Sequence, residues 1–395
     1  MSRAERGRPS GVPPGAGHGV PPGSLTAVAV VFGGPSAEHD VSITSGTAIA
    51  AALAGRGHPV SQLYVDLAAR WWRLPAGHRR GELAPAAYDD PAALGAAGPF
   101  GAGDAAAVIA AARPQPVVFV ALHGPYGEDG TVQAILEDAG LACTGSGVAA
   151  SAVGMDKPLF KRFARAAGLP VLPSFDITAG QWAADRAATL AALDGFAADA
   201  PGRRVIVKPA CLGSSVGMSI AWSAADREPA IELALRYDAR VLVEPCLPTP
   251  RELEVAVLGN APGDLRVWGP GEVIPSRDFY DYVDKYIANA AQVMARADVD
   301  EATAAECRRI AGAAFTLIGA AGFARVDFLV DRGSGALYLN EINTIPGFTP
   351  ISLFPKMAEA AGIPFADLCA RIVDLALETR AARPTRRLTP GDLPR

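Results

Sequence analysis

The sequence predicts an α/β fold of two or three domains. Its 395 residues are enough for a substantial core, and half of them are hydrophobic while 19% are charged, as in globular proteins. An apolar run at 25–34 ends in two glycines and leads into a helical pattern from about Ile43 to Ala54. A second run at 116–124 also ends in glycine, before the helical segment GEDGTVQAILEDAG. Strands that feed glycine loops and then helices are typical of parallel α/β folds, with ligand loops at the carboxyl ends of the strands.

Composition and charge exclude several classes of function. The net charge is −5 and the Lys and Arg residues are dispersed, so we predict no nucleic-acid partner. The five cysteines are widely separated and form no C-x-x-C pair, which fits a reducing cytoplasm without structural zinc. No stretch reaches roughly 18 uninterrupted apolar residues, so we predict no membrane partner. The Pro/Gly-rich residues 1–24 are expected to be a disordered tail, and 381–395 a second tail.

The pattern changes after Met155. The segment KPLFKRFARAAG predicts a helix, and the short strands that follow it flank a Gly/Ser loop, CLGSSVGMSI. A further strand, RELEVAVLGN, and a helix near 301–320 precede two strands joined by a turn at DRGSG, which predict a hairpin. Helices are predicted over about 352–380. The predicted domains are residues 25–145, 146–243 and 244–380.

The predicted hairpin carries a candidate metal site. Strict alternation places Glu341 and Asn343 on one strand face together with Leu339, and places Asp327 with Arg325 on one face of the other strand. If these faces coincide, two carboxylates and an amide oxygen converge, which suits Mg²⁺ and implies a nucleotide phosphate as a further ligand. The alternative is an ordinary solvated sheet face.

Lysines and a glycine-rich loop form a second constellation. Lys208 ends an apolar strand six residues before Ser214, in KPACLGSSVG, and Lys157 and Lys285 lie elsewhere in the chain. Backbone N–H groups of such a loop can close over phosphate oxygens while a lysine adds charge. The loop is neither a P-loop nor a Rossmann fingerprint, and a lysine at a strand end also has an ordinary structural explanation.

Polar residues follow the two amino-terminal strands. Glu38 lies just past the first strand, in GGPSAEHDVS. The sequence leaves open whether its carboxylate is functional or is simply solvated. His39 has no nucleophile partner at a recognisable spacing. His123 and Glu128-Asp129 lie after the second strand, where capping of the next helix is the simple explanation for the two acids.

Eight segments in order resemble the D-alanine:D-alanine ligase family of the ATP-grasp superfamily. They are VFGGPSAEHDVSITSG, ALHGPYGEDGTVQAILEDAG, TGSGVAASAVGMDK, VIVKPACLGSSVGMS, RELEVAVLGN, FYDYVDKY, GFARVDFLV and LNEINTIPGFTPISLFPKM. The resemblance implies three domains: an amino-terminal Rossmann-like α/β domain, a central lid domain and a carboxyl-terminal domain that binds ATP and magnesium. It also implies ATP-dependent joining of two D-alanine molecules through an acyl phosphate, for peptidoglycan precursor synthesis in the cytoplasm, by a homodimer.

The resemblance assigns a role to each matching position. It implies that Asp327, Glu341 and Asn343 are the metal ligands, for two Mg²⁺ ions with Mn²⁺ as a substitute. It implies nucleotide binding by the following residues: Lys157, Lys208, Ser215, Glu244, Leu247, Glu252 and Lys285. Glu244, with the backbone near Leu247, matches the adenine hinge, and Glu252 matches the ribose contact.

The resemblance also assigns the substrate side. Glu38 matches the carboxylate that holds the first D-alanine's ammonium group, with Ser214 and Tyr286 hydrogen-bonded to it. Arg325 and the N–H of Gly347 match the oxyanion donors, which explains why glycine follows the metal strand. Ser352 and the N–H of Leu353 match the site of the second carboxylate, and His123 lines the same area.

Three departures and three alternatives stay open. Val283 and Asp284 break the expected pattern of the omega loop, the hinge EPCLPTPRE is rich in proline, and MARADVDEA is unusual after the omega loop. The alternatives are the same chemistry with D-serine, D-lactate or a specialised amino acid as acceptor, a catalytically silent nucleotide-binding protein, and an ATP-grasp carboxylase. The resemblance argues against D-lactate through Tyr286, and nothing in the sequence indicates the bicarbonate site that a carboxylase needs.

Overall fold

The computed structural model describes residues 25–112, 114–274, 292–349 and 351–382. Their strands form three sheets, and each sheet takes its strands from one continuous segment of the chain. The predicted α/β class is confirmed.

The first sheet has the order β4-β3-β2-β1-β5. Its strands are β1 (Val28–Gly33), β2 (Val60–Val65), β3 (Trp71–Arg73), β4 (Ala97–Phe100) and β5 (Val117–Val120). β1 pairs in parallel with both β2 and β5, whereas β3 and β4 add antiparallel to one edge. The wholly buried β1 and β5 are continuous apolar runs because the parallel part of a sheet is covered on both faces.

The first segment also contains three helices. They are α1 (His39–Gly55), α2 (Ala102–Ala111) and α3 (Thr131–Asp138). α1 begins four residues earlier than predicted, because Ser42 and Ser45 are buried on its first turns and bond to neighbouring loops instead of facing water. The turn that carries Glu38 is therefore attached directly to a helix start.

The second sheet has the order β6-β9-β7-β8 and is antiparallel. Its strands are β6 (Phe175–Thr178), β7 (Val205–Pro209), β8 (Ser219–Ala221) and β9 (Arg240–Pro245). Five helices accompany or precede them: α4 (Val148–Met155), α5 (Lys157–Ala166), α6 (Ala179–Ala184), α7 (Arg186–Ala197) and α8 (Arg227–Leu235). The predicted domain boundary between residues 243 and 244 falls inside β9, which continues for two residues after that boundary.

The third sheet has the order β12-β11-β10-β13-β14 and is antiparallel. Its strands are β10 (Arg251–Asn260), β11 (Arg266–Ile274), β12 (Gln292–Met294), β13 (Ala321–Val330) and β14 (Leu337–Asn343). Three helices belong to this part of the chain: α9 (Glu301–Leu317), α10 (Leu353–Ala360) and α11 (Phe365–Ala382). Short 3₁₀ turns complete the described residues at Pro85–Asp89, Pro201–Arg203 and Ala224–Asp226.

The β13–β14 pairing confirms the predicted hairpin but corrects its side-chain alternation. Asp327 pairs with Glu341 and Phe328 pairs with Leu339, so Asn340 is an extra residue in β14. Such a bulge reverses the alternation on one side of it. Leu339 therefore lies with Ile342 in the buried core, and the prediction that it shares a face with Glu341 was wrong. The bulge lets the strand bury both apolar residues while Glu341 and Asn343 stay on the opposite face.

The cores explain how the sheets are held together. One core joins the first sheet to α10, α11 and the β10–β13 end of the third sheet, with Phe119, Phe323 and Phe348 packed edge to face or tilted. A second core lies under the other face of the third sheet and includes Phe160 of α5. Helices α4 and α5, predicted to belong with the lid, therefore pack against the third sheet. The second sheet has a separate, smaller core.

Candidate active site

A cavity of about 820 Å³ opens where the three sheets meet. Its walls are the ends of β1 and β5, the loop after β7, the face of β13–β14 and the turn before α10. Ten of the predicted site residues line it: Glu38, His123, Lys157, Ser214, Arg325, Glu341, Asn343, Gly347, Ser352 and Leu353.

Glu38 is the N-cap residue of α1, but its side chain makes no capping hydrogen bond to that helix. The Ser214 hydroxyl donates to Glu38 Oε1 at 2.5 Å, which joins the first segment to the Gly/Ser loop. Two glycines make this contact possible. A Cβ atom at Gly124 or at Gly213 would lie 3.0 Å from Glu38 Oε2, so a side chain at either position would crowd the carboxylate.

The Gly/Ser loop is held in a strained conformation at the same place. Ser214 and Ser215 have φ values of 53° and 58°, in the left-handed region that residues with a Cβ seldom adopt. Such conformations cost about 1–3 kcal/mol each and persist where neighbouring contacts fix them. The bond from Ser214 to Glu38 is one such contact. Ser215 does not line the cavity in this conformation.

The predicted metal ligands lie on adjacent strands and face the same side. Asp327 pairs with Glu341 across the hairpin, and Asn343 Nδ2 donates to Asp327 Oδ2 at 2.9 Å. Arg325 donates twice to Asp327, at 2.7 Å each. Burial by itself lowers the pKa of Arg325, but Asp327 and then Glu254 outweigh it, so the guanidinium pKa lies well above its usual value.

Glu341 is tied to the helix that begins at Lys157. The Lys157 ammonium lies 3.3 Å from Glu341 Oε2 and donates to the Leu212 carbonyl at 2.7 Å. Lys157 therefore links β14 to the Gly/Ser loop, and it remains partly exposed to the cavity.

The donor set fits a hard divalent cation that arrives with a phosphate group. Two carboxylates and an amide supply only oxygen ligands, and Arg325 and Lys157 are cations beside them that favour negatively charged phosphate. Within the parts of the chain that the structure describes, no three His, Cys, Asp or Glu side chains form a preassembled metal cluster. Magnesium bound through one or two carboxylates together with phosphate oxygens needs no such cluster.

Glu254 is a cavity residue that the sequence analysis did not single out. It pairs with Asp327 across β10 and β13, and its Oε2 lies 3.1 Å from Arg325 Nε. The strand RELEVAV already puts Glu252 and Glu254 on one face by alternation, and this was the available signal. Its connection to the metal site depends on which strand pairs with β10.

A second polar cluster lies behind the cavity, between α5 and the second sheet. Glu244 is completely buried, with Lys161 Nζ 2.6 Å from one carboxylate oxygen and Lys208 Nζ 2.9 Å from the other. Burial by itself raises the pKa of Glu244, but the two lysines outweigh it and lower that pKa. Lys161, which the sequence analysis missed, lies one helical turn from Lys157 and is 1% exposed.

Several predicted nucleotide residues lie outside the cavity. Lys208 and Glu244 belong to the buried cluster, Leu247 follows β9, and Glu252 is on β10. Burial by itself lowers the pKa of Lys208, but Glu244 outweighs it and Glu341 and Glu252 add to the rise. Lys285 and Tyr286, and the departures at Val283 and Asp284, lie outside the described residues.

His123 is buried and both of its ring nitrogens have protein partners. Nδ1 lies 3.0 Å from the Ile345 carbonyl and therefore carries the proton, while Nε2 accepts from the Ser45 hydroxyl at 2.9 Å. Burial lowers the pKa of His123, so the ring is neutral at pH 7. His123 thus holds the turn that precedes Gly347. His39 is similarly occupied, by the Gly34 carbonyl and the Tyr64 hydroxyl.

The turn from β14 to α10 presents backbone donors. A Cβ at Gly347 would lie 3.0 Å from Ser352 Oγ, so glycine keeps this approach open. Ser352 is the N-cap of α10, but its side chain makes no capping bond and instead contacts Thr349 Oγ1 at 2.7 Å. The N–H of Leu353 begins the helix, and a helix N-terminus favours a carboxylate.

Known proteins match this chain over nearly all of the described residues. The family model described as D-ala D-ala ligase N-terminus matches residues 27–146, and that described as D-ala D-ala ligase C-terminus matches 163–374. The D-alanine–D-alanine ligase of Chlorobaculum tepidum is 42% identical over 372 residues, covering 91% of this chain and 98% of its own length. That of Heliobacterium modesticaldum is 39% identical over 357 residues, covering 89% and 94%.

Solved structures have the same fold. The D-alanine–D-alanine ligase from Coxiella burnetii superposes with a TM-score of 0.73 at 32% identity, covering 91% of this chain and 96% of that one. The VanG D-Ala:D-Ser ligase from Enterococcus faecalis gives 0.74 at 27% identity, covering 89% and 100%. The resemblance drawn from the eight segments is confirmed, and with the family models matching most of its length the chain belongs to the D-alanine–D-alanine ligase family.

Proposed function

We propose that this protein joins two D-alanine molecules in an ATP-dependent reaction that proceeds through an acyl phosphate. One observation carries the proposal: the Glu38–Ser214 pair lines the same cavity as Arg325 and Asn343, which both donate hydrogen bonds to Asp327. A substrate held at its ammonium end by the first group has its carboxylate directed toward the second. The product supplies peptidoglycan precursor synthesis.

The proposed role of each substrate-binding residue follows from its charge or its hydrogen-bonding groups. Glu38 binds the ammonium group of the first D-alanine, and Lys157 favours the phosphate that its carboxylate attacks. Arg325 and the N–H of Gly347 stabilise the oxyanion when the second amino group attacks the acyl phosphate. Ser352 and the N–H of Leu353 hold the second carboxylate at the start of α10.

The nucleotide is bound between the second and third sheets. Asp327, Glu341 and Asn343 would hold magnesium, as two ions for which Mn²⁺ could substitute, and the metal would supply charge neutralisation for the phosphates of ATP. The other nucleotide contacts are Lys208, Ser215, Glu244, Leu247, Glu252 and Lys285.

Closure of the site protects the intermediate. Tyr286 is proposed to complete the Glu38–Ser214 pair, which would join three parts of the chain and exclude water from the acyl phosphate. We further propose that the enzyme is a cytoplasmic homodimer with neither nucleic-acid nor membrane partners. Among the described residues, no helix has the length and apolarity needed to cross a membrane.

The direct test measures phosphate release from ATP and identifies the product by mass. Release that requires D-alanine but not L-alanine, with a product of the dipeptide mass, is expected. A protein that binds ATP but releases no phosphate would be the silent nucleotide-binding alternative. Because one structural relative is a D-Ala:D-Ser ligase, D-serine and D-lactate are included as second substrates. A preference for either over D-alanine would overturn the acceptor assignment but not the chemistry.

A further inference from the structure

Glu128 lines the cavity, and the reaction described above gives it no role. The sequence pattern favoured helix capping for both Glu128 and Asp129. The Asp129 carboxylate, one residue before the N-cap, accepts from the N–H of Thr131 at the start of α3. The prediction was wrong for Glu128, which lies on the cavity side of the loop and is 9% exposed.

Backbone contacts fix Glu128 beside Glu38. Gly124 N–H donates to Glu128 Oε1 at 2.8 Å, and the Glu128 N–H donates back to the Gly124 carbonyl at 2.9 Å. On its other side, Gly124 is the glycine whose added Cβ would lie 3.0 Å from Glu38 Oε2. A single glycine therefore separates the two carboxyl groups.

The charges around Glu128 set its protonation. Burial, and then repulsion by Glu38, raises the pKa of Glu128 to about 8, while the N–H of Gly124, Arg325 and Lys157 oppose that rise. His123, which precedes Gly124 in the same loop, is neutral because burial lowers its pKa. Glu128 is thus a carboxyl group that exchanges its proton near neutral pH, as a general acid or base requires.

The proposed reaction needs such a group. The second D-alanine reaches the site as an ammonium ion, which has no lone pair and must lose a proton before it can attack. Each other acid of the cavity within the described residues has a different assignment or position: Glu38 binds the first ammonium, Glu341 is a metal ligand, Glu254 pairs with Arg325, and Asp40 is exposed. Both nitrogens of His123 are occupied.

We propose that Glu128 is the general base that takes a proton from the ammonium group of the second D-alanine, an inference that rests on the proposed ligase function. One N–H bond of the acceptor breaks and its proton moves to the free carboxylate oxygen of Glu128. The nitrogen lone pair then forms the C–N bond, and phosphate leaves with the electron pair of the acyl C–O bond. The nitrogen's second proton goes to the departing phosphate, and Glu128 returns its own proton to water when the site opens.

Substrate order follows from the position of Glu38. The first D-alanine brings an ammonium that offsets the charge of Glu38, and this removes part of the repulsion that keeps Glu128 protonated. Glu128 therefore ionises more readily once the donor is bound, at the stage when the acceptor needs a base.

The test uses Glu128→Gln with Asp129→Asn as the matched control. The glutamine carbonyl can still accept from Gly124 N–H, so the loop bond is retained while the proton acceptor is lost. Each protein is assayed with D-alanine as acceptor and with hydroxylamine, which is already neutral at pH 8 and traps the acyl phosphate as D-alanine hydroxamate. The wild type must form both products, and absence of the dipeptide there would refute the ligase function itself.

We expect Glu128→Gln to lose roughly 10²-fold or more in dipeptide formation, the scale of general-base catalysis, while hydroxamate formation stays near the wild-type rate. The dipeptide defect should shrink as pH rises, because more acceptor is then already unprotonated. Asp129→Asn should affect both products equally. An equal loss of both products in Glu128→Gln would show a structural role, and a normal dipeptide rate would remove Glu128 from the chemistry. Either result overturns the inference.

Discussion

Replacing Arg325 by alanine tests the centre of the site. Its guanidinium donates two hydrogen bonds of 2.7 Å to Asp327 and lies 3.1 Å from Glu254, with the side chain 22% exposed. The substitution removes the cation that we propose as an oxyanion donor and leaves two carboxylates, Asp327 and Glu254, without their counterion. Lys157 stays in place, as does the buried Lys208.

The two consequences are measured by different experiments. Loss of one oxyanion donor costs about 2.7–4 kcal/mol of transition-state stabilisation, which corresponds to roughly 10²–10³-fold in turnover. Each hydrogen bond to a charged group contributes about 1.5–3 kcal/mol to folding, so the loss of two lowers the free energy of unfolding by an amount of similar size. Arg325→Lys restores the charge but not the planar fork, so we expect it to regain stability more fully than turnover.

The assay combines three measurements on each variant. Calorimetric titration with a non-hydrolysable ATP analogue and Mg²⁺ is expected to give affinity close to that of the wild type, because Arg325 is not one of the nucleotide contacts. Thermal unfolding reports the stability loss, and coupled phosphate release reports turnover. Turnover in Arg325→Ala close to that of the wild type would refute the oxyanion role. A parallel collapse of nucleotide affinity would show that Arg325 instead organises the metal ligands.

Four further outcomes follow from the geometry. Glu244→Gln should lower the free energy of unfolding in urea by about 3–5 kcal/mol because it leaves two buried ammonium groups without a counterion, whereas Lys161→Met should cost much less. Ser214→Ala should raise KM for the first D-alanine by roughly 10-fold or more, the scale of a hydrogen bond to a charged group, with KM for ATP unchanged. Chelation of divalent ions should abolish the rise in melting temperature that ATP produces, and Mg²⁺ or Mn²⁺ should restore it. The folded-state pKa of Glu128, about 8, lies above that of an unfolded glutamate, so the folded state binds the extra proton and wild-type stability falls as pH rises from 5 to 8; Glu128→Gln should show a weaker fall.

The local pattern was sufficient for most elements of the fold. The apolar runs of β1 and β5, the helix at Lys157 and the β13–β14 hairpin could all be predicted because each satisfies its own periodicity and turn chemistry. The start of α1 could not, since its buried Ser42 bonds to the end of β1 and to Ala121, just after β5, and only the folded chain supplies these partners. The packing of α4 and α5 against the third sheet could not be predicted either, because their apolar faces do not specify which sheet they cover.

What the sequence alone determined was the set of chemical groups: the acids and amide of the hairpin, the lysines, the Gly/Ser loop and the glycine after β14. What only tertiary structure decided was their neighbours. The bulge at Asn340 reversed the face of Leu339, the pairing of β10 with β13 brought Glu254 to Arg325, and the packing of α5 placed Lys161 against Glu244. Glu128 became a cavity residue because Gly124 brings its loop against Glu38. The physical reason is that alternation and helical periodicity describe residues that are close in sequence. Burial and the pairing of charges depend instead on which distant segments of the chain are in contact.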